Sequence, residues 1–134
     1  MTALAADRNT HMKEGELIGV PVAANAKIYA GALVVANATG YAAPGSTATT
    51  LTYLGRAEAS VDNTGGADGA KTVMVRRKVA FKFANLAADL VTQADIGKTC
   101  YIADDQTVAK TNGTNTRSAA GKVLGVESDG VWVE

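Results

Sequence analysis

The 134-residue chain has the length of one domain, enough to bury roughly two-thirds of its unfolded surface around a single core. Thirteen basic and thirteen acidic residues give zero formal net charge, which argues against a general electrostatic attraction to nucleic acid or to an anionic membrane. Hydrophobic residues make up 47% of the chain but aromatic residues only 5%, so we expect a core built from small side chains.

The first predicted element is an extended arm. Residues 1–15 show neither helical nor strand periodicity, and their charged side chains are interspersed with small residues. From Leu17 onward the pattern changes to short β-type runs. We therefore divide the chain into an N-terminal arm, 1–15, and a single β domain, 16–134.

The first part of the β domain predicts several short strands. Apolar runs at 17–23, 27–29 and 33–36 are separated by Pro21 and by small or glycine residues. Residues 37–50 are rich in Ala, Thr, Gly and Ser, a composition that favours a surface loop.

Two longer strands are predicted in the middle of the chain. Residues 51–61 alternate between apolar or small and polar residues, and Leu54 alone breaks the alternation. The glycine- and Asx-rich stretch 62–69 predicts a loop. Residues 71–83 predict a second strand, in which Arg77 is the exception on the apolar face. The apolar residues of that face are Val73, Val75, Val79, Phe81 and Phe83.

The last third of the chain predicts one short helical turn and two hairpins. Thr92 and Asp95 have the spacing of a capping box. The hairpins turn at Asp104-Asp105-Gln106 and at Ser128-Asp129-Gly130, between 99–103 and 107–110 and between 121–127 and 131–134. In total we expect about seven to nine strands. The predicted fold is all-β, a compact β-barrel or β-sandwich of short antiparallel strands with at most one short helical turn.

Side chains suited to catalysis are scarce. His11 is the sole histidine and lies in the arm, where it is poorly placed to activate a nucleophile. Cys100 is the sole cysteine, so no disulfide forms within one chain, and we expect it to be a buried hydrophobe. The acidic loops 62–68 and 104–105 lack the spacing of a calcium loop. We predict no catalytic residue, no metal site and no cofactor, and hence not an enzyme.

The basic run Arg76-Arg77-Lys78 raises the alternative of a nucleic-acid platform. The alternation places Phe81 and Phe83 in the core, so we expect no nucleic-acid binding. Arg77 is better suited to pairing with a carboxylate of a protein partner. We also expect no membrane association, since no apolar run approaches about 18 residues and no secretory leader is present.

Five segments resemble a known family. They are ADRNT at 6–10, KIYAGALV at 27–34, VDNTGGADGA at 61–70, DIGKTCYIADDQTVA at 95–109 and GVWV at 130–133. Together they resemble small head proteins of Mu-like transposable phages and prophages, and more broadly the class of capsid decoration (cement) proteins. The resemblance spans nearly the whole chain.

This resemblance implies a structural virion protein, a minor capsid protein made in the host cytoplasm and seated on the outside of a tailed-phage head. Its implied partner is the major capsid protein, and its implied oligomeric state is a homotrimer. The alternatives are a head-completion or tail-associated protein, or a β module that binds sugar or single-stranded nucleic acid. The residues that we expect to contact the capsid or a neighbouring subunit are Asp7, Arg8, Asn9, Thr10, His11 and Arg77.

Overall fold

A computed structural model of the protein describes residues 2–134. Within this part the chain is all-β, which confirms the predicted fold class. Two short 3-10 turns, Ala87–Asp89 and Gln93–Asp95, replace the single helical turn that we expected. The strands are Leu17–Pro21 (β1), Lys27–Ile28 (β2), Leu33–Ala36 (β3), Ala42–Pro44 (β4), Thr52–Ala57 (β5), Val61–Asp62 (β6), Thr72–Arg76 (β7), Phe81–Asn85 (β8), Thr99–Ile102 (β9), Thr107–Ala109 (β10), Ala119–Glu127 (β11) and Gly130–Val133 (β12).

The first lobe is an antiparallel sheet in the order β1-β7-β5-β3-β4. This sheet curls back on itself, because Val22 bridges Ala42 and the Ala23 N–H donates to the Ala42 carbonyl at 2.9 Å. The small β2–β6 pair forms a separate two-stranded sheet. The buried residues of the first lobe are Val22, Ile28, Ala32, Val34, Ala42, Ala57, Val73 and Val75.

The second lobe is a closed barrel in the order β10-β8-β12-β11-β9. Its strands pair antiparallel except for β8 and β10, which run parallel, so the expectation of antiparallel strands fails at this one pair of the barrel. The hairpins β9–β10 and β11–β12 confirm the two predicted turns. Most of the barrel core consists of Phe81, Phe83, Val91, Cys100, Ile102, Val108, Val123, Val131 and Val133.

Strand β3 belongs to both cores. Leu33 and Val35 pack into the barrel core, and Val34 packs into the core of the first lobe. All three residues are fully buried. An uninterrupted run of branched apolar residues suits a strand with both faces covered, and here the two lobes cover them.

The predicted strand 71–83 is wrong as a single element. It divides into β7 in the first lobe and β8 in the barrel, with a break at 77–80 where Lys78 has a φ of 65°. Val79, expected on the apolar face, is 42% exposed in this break. Arg77, the exception on the predicted apolar face, lies in this break, but the alternation resumes at Val79 and so the pattern resembles one strand with a single irregular position.

The predicted strand 51–61 also differs. It divides into β5 and β6, and β5 carries a bulge at Leu54, because Val34 pairs with Gly55 while Val35 pairs with Tyr53. An extra residue shifts the alternation by one position. Tyr53 therefore packs on the barrel core and Ala57 on the first-lobe core, rather than on one common face.

Residues 37–50 contain a strand that the composition did not predict. Ala42–Pro44 forms β4 opposite β3, and Ala42 is fully buried. Alanine is a weak strand former, so only the tertiary pairing marks this segment. Further along, the capping box of Thr92 and Asp95 is confirmed, with the Thr92 N–H donating to the Asp95 carboxylate at 2.8 Å.

Candidate functional site

The N-terminal arm is exposed over residues 2–14, with a bend at 5–6 and a turn in which the Thr10 N–H donates to the Arg8 carbonyl at 3.1 Å. No strand occurs in this segment, and the first strand begins at Leu17. Its two largest apolar side chains, Leu4 and Met12, are 74% and 97% exposed. Five of the predicted contact residues lie here and are exposed, namely Asp7, Arg8, Asn9, Thr10 and His11. Met1, which the prediction included in the arm, lies outside the described residues.

The base of the arm lies beside Arg77. The backbone N–H of Arg77 donates to the Glu16 carbonyl at 2.8 Å, which extends the β1–β7 ladder by one pair. The Lys78 side chain also lies against the base of the arm at Gly15. Its Nζ would be 3.0 Å from a Cβ added to that glycine. The fold thus places Arg77 next to the point where the arm leaves the domain. The sequence pattern did not predict this proximity.

The basic run divides into paired and unpaired members. Arg76 Nε and Arg56 both bind the Glu58 carboxylate, Arg76 at 3.0 Å. Hydrogen bonds from Arg56 and then Arg76 lower the pKa of Glu58. Arg77 and Lys78 form no ion pair within residues 2–134, and Arg77 is exposed. Its guanidinium is available to a carboxylate of another chain.

Strand β1 has an open edge. The Val22 N–H donates to the Lys71 carbonyl, and the Arg77 N–H donates to the Glu16 carbonyl. These two bonds show that the backbone groups of the even-numbered residues along β1 point toward β7. Because alternate residues of an antiparallel strand bond to the same neighbour, the N–H and C=O groups of Ile18 and Val20 also point toward β7. The N–H and C=O groups of Leu17 and Gly19 point away from β7. In the described part of the chain, no other strand pairs with this side of β1.

A polar cleft of about 470 Å³ lies at the base of the β9–β10 hairpin. Asp95, at its wall, has its pKa lowered by the hydrogen bond from the Thr92 N–H. Two ammonium groups and several hydroxyls line the cleft, which suits an anionic or hydroxylated group. Its lining residues are Asp95, Lys98, Thr99, Tyr101, Lys110, Thr111 and Asn112. These residues belong to separate elements, and the sequence analysis did not single them out as a site.

Two further observations concern other classes of site. Within residues 2–134, no three His, Cys, Asp or Glu side chains are grouped so as to hold a metal ion. The same part of the chain contains no helix with the length and apolar character needed to cross a membrane.

Comparisons of the chain with protein-family models, with curated proteins and with solved structures found no match. The resemblance to phage head proteins therefore stays a prediction from the five sequence segments.

Proposed function

We propose that this chain is a structural virion protein, a decoration (cement) subunit that binds the outside of a tailed-phage head and stabilises contacts between major capsid proteins. The observation that carries the proposal is an exposed arm that leaves a compact β fold beside an open strand edge and an unpaired Arg77. The five sequence segments that resemble phage head proteins support the same role.

The dimensions of the arm suit a subunit that braces its neighbours. If fully extended, the thirteen residues 2–14 would reach about 43 Å at roughly 3.3 Å per residue. A domain of this size has a diameter of about 35 Å, judged from its expected radius of gyration. The arm is therefore long enough to cross a subunit boundary. Ordering the arm costs conformational entropy, which its contacts with the shell must exceed.

The chemistry of the proposed contact surface is polar and mixed in charge. Residues 7–11 of the arm present a carboxylate, a guanidinium, an amide, a hydroxyl and an imidazole. Arg77, at the base of the arm, adds a planar fork that binds a carboxylate through two hydrogen bonds. In this proposal the subunit is a homotrimer on the capsid exterior, without cofactor or catalytic activity.

The test is a binding experiment on phage heads that lack this protein. Purified full chain is expected to bind them saturably, and complete failure to bind overturns the proposed function. A variant lacking residues 2–13 retains Gly15 and Glu16, so the Arg77 hydrogen bond remains and its melting transition stays unchanged. This variant is expected to lose binding. Binding equal to that of the full chain rejects the role of the arm.

A matched pair of substitutions tests Arg77. Arg77→Ala removes the guanidinium but keeps the backbone N–H that bonds Glu16, and it is expected to weaken head binding at least about tenfold. Lys122→Ala removes an exposed charge on the barrel and serves as the control. Equal effects of the two substitutions exclude a specific role of Arg77. Immunogold labelling confined to a vertex or to the tail favours a head-completion or tail-associated protein instead.

The cleft at Lys98 and Lys110 favours a second candidate, a β module that binds a sugar or single-stranded nucleic acid. Oligonucleotide binding that falls with salt, or binding to a glycan array, is the expected signature. Both signals should disappear in the double variant Lys98→Ala, Lys110→Ala. Binding that survives in that variant excludes the cleft.

A further inference from the structure

We propose that the open edge of β1 takes the N-terminal arm of a second copy of this chain as an added strand. This contact would join the subunits of the homo-oligomer, and in that respect the inference rests on the proposed function. It is nevertheless tested on the purified chain, without capsids.

The edge of β1 is the part of the larger sheets that the fold leaves unpaired. The barrel closes on itself and has no edge. The far edge of the first lobe, at β4, is covered where Val22 and Ala23 meet Ala42. The outward N–H and C=O groups of Leu17 and Gly19 remain. Such groups are a template for an additional strand.

The face of the sheet beside this edge carries exposed apolar surface at Met74. Gly19 pairs with Met74, and a Cβ added at Gly19 would lie 3.4 Å from Met74 Sδ and 3.2 Å from Thr72 Cγ2. Met74 is 41% exposed. A strand added to β1 would place alternate side chains on this face, where they extend the apolar contact of Met74.

The arm fits the edge as its occupant. Pro21 and Pro44 are the only prolines of the sequence, so each residue from 2 to 14 has an N–H for a strand ladder. Leu4 and Met12 are exposed apolar side chains that could pack beside Met74 in such a strand. No strand partner covers the arm in the described part of the chain.

The geometry at the base favours the arm of another copy over that of the same chain. Glu16 is held in the β1–β7 ladder by the Arg77 N–H, so an arm returning to its own β1 must reverse within residues 13–15. An arm that continues outward avoids this reversal, and its reach of about 43 Å extends to a neighbouring domain. Contacts of this head-to-tail kind close into a ring when the rotation permits, as in a trimer.

The experiment separates the edge from the arm. A variant lacking residues 2–13 is titrated with a synthetic peptide of residues 2–14, and amide exchange at Leu17 and Gly19 is followed with and without peptide. The peptide is expected to bind and to slow exchange at both amides. Full chain is expected to sediment as an oligomer, and the shortened variant as a monomer.

Gly19 provides the matched substitutions. Gly19→Pro removes the outward N–H but leaves the bonds of Ile18 and Val20 to β7, whereas Gly19→Ala adds a Cβ and keeps the N–H. Because Gly19→Pro loses one hydrogen bond to the added strand, its affinity for the peptide is expected to fall at least about tenfold. The affinity of Gly19→Ala is expected to stay within about threefold of that of the unsubstituted variant.

Three outcomes overturn the inference. The first is that the peptide fails to bind while the Leu17 and Gly19 amides exchange freely in the full chain. The second is that the Gly19→Pro and Gly19→Ala variants bind the peptide equally well. The third is a monomeric full chain in which the Leu17 and Gly19 amides are protected from exchange, because its own arm would then occupy the edge of β1. The exchange measurement on the unsubstituted protein stands even if Gly19→Pro does not fold. Head binding by a monomeric chain leaves the decoration role intact, while this inference and the homotrimer both fail.

Discussion

Asn63 fixes the loop between β6 and β7 through its buried side chain. The residue is 2% exposed, and its amide donates to the carbonyls of Ala23 at 2.9 Å and Ala67 at 3.0 Å. Its backbone N–H donates to the Ala26 carbonyl. One side chain thus joins the glycine-rich loop to the segment that follows β1. Composition predicts a loop here, but it does not single out Asn63 as the residue that holds it.

Replacing Asn63 with Asp is expected to destabilise the fold by about 2–3 kcal/mol, because the carboxylate cannot donate to the two carbonyls and is buried. Urea unfolding measures the free-energy change. Asn115→Asp is the control, since Asn115 is exposed and its side-chain oxygen accepts a bond that a carboxylate also accepts. Similar losses in the two variants would show that the Asn63 donors are not important.

The thiol of Cys100 couples stability to pH. Cys100 is fully buried in the barrel core, and this burial raises the pKa of its thiol to about 12. The unfolded thiol ionises near pH 8.5, so the folded state, which keeps it neutral, loses stability as the pH rises. The stabilisation that comes from keeping the Cys100 thiol neutral is present in full below about pH 8.5 and is lost between that pH and about pH 12.

We expect Cys100→Ala to reduce this pH dependence. Between pH 9 and 11 the unfolding free energy of the natural chain should fall about 1.4 kcal/mol per pH unit more steeply than that of the variant. Chemical unfolding at several pH values provides the measurement. Parallel pH profiles for the two proteins would mean that the thiol ionises equally in both states.

Among the strands, β5 depends on a glycine next to its bulge. Gly55 has a φ of 149°, and a Cβ at this position would lie 2.1 Å from the Arg76 carbonyl oxygen. The missing side chain lets β5 approach β7 closely while the bulge at Leu54 turns the strand from one core to the other.

Gly55→Ala is expected to cost at least about 2 kcal/mol more than Gly31→Ala, because it adds a collision with backbone to the conformational strain. Gly31 has a φ of 86° with nothing within 4 Å of an added Cβ, so its substitution measures the strain alone, about 1–2 kcal/mol. Thermal or urea unfolding compares the two. Equal losses would contradict the close approach of β5 and β7.

Local signals in the sequence were sufficient for some elements and not for others. The hairpin at Ser128-Asp129-Gly130 and the capping box at Thr92 follow from neighbouring residues, so they were predicted correctly. The break at 77–80 and the strand β4 follow from long-range pairing, which alternation does not encode. Leu54 broke the alternation and marks the bulge. Of the candidate site, the arm was predicted, whereas the open edge and the cleft depend on which strands become neighbours.

For the whole molecule, the shared strand β3 makes the two lobes one unit. Its side chains are buried alternately in the barrel core and the first-lobe core. Opening either lobe therefore exposes one face of β3 and removes support from the other lobe. A cooperative, two-state transition is expected.

Val73→Ala tests this coupling, because it removes two methyl groups from the first lobe while the sole tryptophan, Trp132, lies in the barrel. The substitution is expected to cost about 1–3 kcal/mol. Trp132 fluorescence and far-UV circular dichroism should shift together in urea. A fluorescence midpoint that stays in place while the dichroism midpoint moves would show that the lobes unfold independently.

Pro21 limits the hazard that an open edge creates. The edge of β1 offers outward N–H donors at Leu17 and Gly19, and at position 21 the proline has none. Cross-β stacking of identical chains requires uninterrupted segments of about six or seven residues without proline. The run of outward donors therefore ends at Gly19, which leaves the edge too short to template a cross-β stack. Pro21 thus acts against edge-to-edge pairing of long β1 segments, in the same way as prolines on other exposed sheet edges.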